Sequence, residues 1–95
     1  MSSVQEKAGS LVKWPAASPF EPHTVTFEST FTDAEQPGAL APGGVPSGSD
    51  YTGGFSNSGL AGKDDPVFSL RFTKPGTFAY VCLLHPGMKG TVRVT

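Results

Sequence analysis

With a single cysteine the chain cannot form an internal disulfide, so its 95 residues must be held by packing or by a bound group rather than by a covalent staple. It also lacks any apolar run of the roughly 20 residues that a membrane-spanning helix needs. Charged residues are scarce, at 16%, and nearly balanced, leaving a net charge of −1 and no basic block. These absences argue against a membrane span and against a nucleic-acid partner. The length suits one domain over residues 1–95, near the lower limit at which one core suffices. Histidine is equally sparse, with two in the chain, and methionine occurs only once beyond the first residue.

What little there is of these residues is concentrated. His23 stands alone, and Cys82, His85 and Met88 fall within seven residues, giving the pattern H-x58-C-x2-H-x2-M. A thiolate, two imidazoles and a thioether form a donor set for one transition-metal ion. Zinc accepts thiolate and imidazole but gains little from a thioether. Copper suits a trigonal thiolate and imidazole set with a weak axial thioether, so Met88 separates the two metals and the reading is one copper ion.

Hydrophobic periodicity predicts strands almost throughout. Residues 11–14 form one, with Trp14 in the core. In residues 23–28, His23, Val25 and Phe27 project one way and Thr24 and Thr26 the other, which places His23 on the core face at the end of a strand. Residues 67–72 put Phe68, Leu70 and Phe72 on one face, and Lys74-Pro75-Gly76 then turns the chain. Phe78, Tyr80 and Cys82 share the next face, so the thiol points into the same interior as His23. Residues 90–95 close the domain, with Val92 and Val94 inward. Between these segments, residues 33–62 are rich in glycine and proline and read as a long surface connection crossing from one sheet to the other. Phe55 and Leu60 are expected to pin it to the core and Tyr51 to cover part of the site. Short strands joined by turns predict an all-β, antiparallel two-sheet sandwich.

The context of the ligands carries a resemblance. The stretch GTFAYVCLLHPGMKGTVRV (76–94) and the stretch EPHTVTF (21–27) are similar to the two ligand segments of the cupredoxins, the plastocyanin, amicyanin and halocyanin group of blue copper proteins. The Cys-x2-His-x2-Met spacing resembles the short ligand loop of amicyanins. Many plastocyanins have a longer gap before the methionine. The likeness runs from about Val4 onward, strong at both ligand segments and weak between them.

The resemblance implies a Greek-key sandwich in which His23 and His85 bind through imidazole nitrogen, Cys82 through thiolate and Met88 through a long axial sulfur. Pro86 and Gly87 suit the tight loop, the one fixing φ and the other permitting φ > 0. The chain departs from the family in two ways. The usual first strand, ahead of the segment matching residues 4–14, is missing or shortened, which leaves a sheet edge either unpaired through truncation or covered by a partner strand or a second copy. Thr24 stands where many members have an asparagine that ties the two ligand segments together, and its hydroxyl is expected to make a shorter version of that bond. Backbone amides near Cys82 are expected to donate to the thiolate.

The function implied is one-electron transfer between transient redox partner proteins, with Leu83, Leu84 and Pro86 forming an apolar docking patch beside His85; Asp64-Asp65 is the nearest thing to a charged patch, but a pair of carboxylates in a loop reads as solvated surface. Copper oxidases and reductases of the wider family need further histidines, and a dinuclear centre needs a second cysteine, so the reading is not an enzyme. A copper-delivery module is the alternative, although its ligands are usually Met-rich or His-rich. A truncated or engineered structural domain of a larger protein is another. The opening residues 1–7 lack the apolar core of a secretory signal. Because related blue copper proteins work outside the cytoplasm, a mature periplasmic or extracellular domain is expected.

Overall fold

The computed structural model describes residues 3–14, 23–61, 67–85 and 87–95. Eight strands follow in order: β1 (Val4–Glu6), β2 (Ser10–Trp14), β3 (Thr26–Phe27), β4 (Ser49–Tyr51), β5 (Ser56–Asn57), β6 (Phe68–Phe72), β7 (Gly76–Val81) and β8 (Lys89–Val94). No helix occurs among the described residues. One sheet has the order β1-β8-β7-β3-β5 and the other β2-β6-β4. Both are mixed: β1 runs parallel to β8 and β4 parallel to β6, while the remaining pairs are antiparallel. Every connection changes sheet except that between β7 and β8.

The strands follow from the two-residue period. In β6, Phe68, Leu70 and Phe72 are buried while Arg71 is exposed, and in β8 Val92 and Val94 point inward. The two apolar faces meet in one aromatic core. Phe27 lies within 4.8–6.0 Å of the rings of Trp14, Tyr51, Phe72 and Tyr80. Trp14, only partly buried, also sits over Phe68, Phe72 and Tyr80. Such tilted and edge-on pairs add to the gain from burial alone.

Several expectations from sequence are corrected. The strand over residues 23–28 shortens to Thr26–Phe27, because Glu28 takes φ 45° and His23 leaves the ladder for a separate bridge with Ala61. Both of its faces are buried, Thr24 and Thr26 as fully as Val25 and Phe27. The glycine-rich stretch does cross between sheets, but it carries β4 and β5 on the way. Phe55 and Leu60 do not reach the core; they are 41% and 45% exposed. Phe55 instead meets Phe31 edge-on. Tyr51 does not cover the site: its ring packs on Phe27, Phe72 and Phe78, and its hydroxyl donates to Gly54 O at 2.6 Å. At the edge, β2 pairs with β6 alone among the described residues. Glu21, Pro22, Asp64, Asp65 and Pro86 lie outside the described residues.

Candidate metal centre

The one connection that stays within a sheet is the one that carries the sequence motif. Val81 of β7 pairs with Lys89 of β8, so residues 82–88 form a hairpin loop. Two backbone bonds close it: Cys82 N–H donates to Met88 O, and Met88 N–H donates to His85 O, both at 3.0 Å. Gly87, at φ 82°, makes the turn that a side chain resists. His23 approaches from the other segment, fixed by reciprocal 2.9 Å bonds between its N–H and C=O and those of Ala61.

Three predicted ligands therefore converge. One donor atom from each of His23, Cys82 and His85 lies within 4.8 Å of the others. Cys82 Sγ and His23 Nδ1 are 3.6 Å apart, and the two imidazole centroids are separated by 5.0 Å. Cys82 is buried, and both histidines are half-buried. Met88 is half-buried and takes part in closing the loop through its backbone.

The surroundings of the thiol are built from backbone and hydroxyl groups. Thr24 N–H points at Cys82 Sγ at 3.5 Å. Leu83 N–H donates to Thr24 Oγ1 at 2.9 Å, so Thr24 does tie the two ligand segments together, as its position after His23 predicts. Behind it the hydroxyls of Thr24 and Thr26 are 3.0 Å apart, and Thr26 Oγ1 lies 3.2 Å from Asn57 Oδ1. Asn57 Nδ2 donates to Ala39 O at 2.7 Å, and Gly59 N–H donates to Asn57 Oδ1 at 2.9 Å. Ser58 adds a further tie, accepting Val25 N–H on its Oγ at 2.8 Å.

Sequence reasoning missed Thr26, Asn57 and Ser58. An asparagine among glycines reads as a turn residue. Only the pairing of Thr26 directly opposite Asn57 across β3 and β5 reveals that it is buried behind a ligand.

The donor set fits copper. One thiolate and two imidazoles suit a soft or borderline transition metal, and no carboxylate joins the cluster among the described residues, which leaves calcium or magnesium poorly served.

A β-sandwich whose β7–β8 hairpin loop and a bridge-held histidine bring His23, Cys82 and His85 together has the architecture of a cupredoxin, and the cluster fits a blue copper site. Among solved structures the similarity is to amicyanin. A reduced tryptophan-to-tyrosine mutant of amicyanin matches with a TM-score of 0.65 and 26% identity, covering 99% of this chain and 69% of that one. An oxidised proline-to-alanine mutant of amicyanin matches with a TM-score of 0.65 and 25% identity over the same shares. No family model matches the chain.

Proposed function

We propose that this chain is a type 1 copper protein that passes single electrons between partner proteins, its 95 residues acting as one unit outside the cytoplasm. The observation that carries the reading is the convergence of one thiol and two imidazoles from segments 59 residues apart. His23, Cys82 and His85 would hold the ion, with the Met88 thioether as its weak fourth donor. Copper bound there supplies a one-electron couple tuned by that thioether.

The protein's own part is to hold still. The closed hairpin loop, the His23–Ala61 bridge and the Thr24–Leu83 bond tie together the segments that carry the three donors. Donors on segments tied this way leave little room for rearrangement between oxidation states. The buried sulfur keeps water from the thiolate, while the half-buried His85 offers an edge toward a partner. Of the expected apolar patch Leu83 is buried and Pro86 lies outside the described residues; Leu84 beside His85, and exposed Leu60 next to the Ala61 that bridges His23, would give that end an apolar character suited to a modest, transient contact. The donor cluster includes no second cysteine and no third histidine, in keeping with a carrier rather than an enzyme.

Titration of the copper-free protein with Cu(II), followed by visible absorption and electron paramagnetic resonance, tests this. An intense visible band that saturates at one equivalent and vanishes in Cys82→Ser is the expected result. Met88→Leu should keep the band and shift the reduction potential. Absence of the band, or indifference to Cys82, overturns the assignment.

A further inference from the structure

The hydroxyls and amide behind Cys82 form a chain whose direction is dictated by its two ends. At one end the Asn57 carboxamide is oriented by backbone groups with no choice of role. Ala39 C=O can only accept, so it faces Nδ2, and Gly59 N–H can only donate, so it faces Oδ1. Asn57 Oδ1 is thereby an acceptor, and Thr26 must give it its one hydroxyl proton across 3.2 Å. At the other end Leu83 N–H donates to Thr24 Oγ1. Thr24 and Thr26 oxygens are 3.0 Å apart; a hydroxyl has one proton, and with that of Thr26 committed to Asn57 it falls to Thr24 to donate between them. Thr24, Thr26 and Asn57 are at most 1% exposed, so water cannot reverse the order.

We propose that Thr26 and Asn57 are positioning residues for the metal centre, forming a one-way hydrogen-bond relay from Leu83 N–H through Thr24 and Thr26 to Asn57. The proposal rests on the copper reading above and extends it to two residues that are not ligands. A hydroxyl that donates becomes a better acceptor at its own oxygen, so donation by Thr26 to Asn57 and by Thr24 to Thr26 tightens the Leu83–Thr24 bond that joins the segments of His23 and Cys82. The same segment presents Thr24 N–H to Cys82 Sγ. Anything that lets Thr24 rotate therefore alters the hydrogen bonding of the sulfur. Asn57, anchored on Ala39 and Gly59, links this alignment to the long connection between the sheets.

Thr26→Val keeps the shape and removes both hydrogen bonds of the hydroxyl. In the copper-free protein, hydrogen exchange at the Leu83 amide should become about tenfold faster, the worth of roughly one hydrogen bond, while the amides of β8 remain protected. In the Cu(II) protein the visible band and the copper hyperfine splitting should shift. Asn57→Ala should do the same, and Thr26→Ser should restore both readouts. Unchanged exchange in Thr26→Val overturns the relay. Faster exchange with an unchanged copper spectrum overturns the positioning role, and so does a failure of Thr26→Ser to restore the signals. If Thr26→Val does not fold, the buried hydroxyl protons of the wild-type protein decide by NMR: a Thr24 proton directed at Thr26 supports the relay, and a Thr26 proton directed at Thr24 overturns it. The copper-free arm keeps the two readings separable. A wild-type protein with no Cys82-dependent band removes the copper site, whereas Leu83 protection still judges the relay.

Discussion

Replacing Tyr51 with phenylalanine should make the protein less stable at neutral pH and more stable than wild type in strong alkali. The ring sits in the core, 2% exposed, against Phe27, Phe72 and Phe78, and phenylalanine keeps those contacts. What is lost is the 2.6 Å bond to Gly54 O, worth about 1 kcal/mol. Burial first, and the Glu28 carboxylate second, push the Tyr51 phenol from its ordinary value of 10.0 up to about 12. A raised phenol pKa means that the unfolded chain releases its proton first, so stability is unaffected below pH 10 and declines from pH 10 through 12. The full shift corresponds to about 2.7 kcal/mol. The hydroxyl lies at a partly buried loop edge, and solvent screening reduces the effect to on the order of 1.5 kcal/mol. Urea denaturation of both proteins at pH 8, 10, 11 and 12 checks this. The difference in favour of wild type should shrink above pH 10 and vanish or reverse by pH 12. A gap that stays constant across that range would refute the argument that burial holds the phenol neutral.

Phe27→Ala removes the ring on which four other aromatic rings converge and should cost about 3–5 kcal/mol, read as a lower denaturation midpoint at an unchanged slope. Ser56 Oγ is buried with no hydrogen-bond partner among the described residues, so Ser56→Ala should be neutral or stabilising by up to about 1 kcal/mol in the same assay. Gly59 takes φ 75°, and a Cβ there would stand 2.9 Å from the backbone nitrogen and ring carbons of Pro42. Gly59→Ala should therefore destabilise by about 1–3 kcal/mol, and because Gly59 N–H holds Asn57, differential scanning calorimetry should show the loss in the copper-free protein too.

That His23, Cys82 and His85 gather in one cluster was legible because the chemistry is rare in this composition. A chain with one cysteine, two histidines and one internal methionine has few ways to arrange them, and a spacing of two residues within the loop is a local property. The strands 67–72, 76–81 and 90–95 were legible for a similar reason: each buries alternate side chains, so the period of two is written in the order of residues. Periodicity failed over 23–28, where Thr24 and Thr26 are buried on the second face and Asn57 of β5 stands beside Thr26. A threonine reads as solvent-facing until another segment covers it.

What the order of residues determined by itself is the set of candidate donors, the short loop that carries three of them, and the alternating strands that build two apolar faces. Tertiary structure alone decided how close His23 comes to Cys82 across 58 intervening residues, because that distance depends on the bridge to Ala61 and on the pairing of β3 with β7. It also decided which polar side chains stand behind the sulfur. Thr24 and Thr26 come from one segment and Asn57 from another, and the three acquire a common direction only when the sheet sets them side by side and excludes water, since a hydrogen bond's polarity belongs to the assembled network and not to any one residue in it.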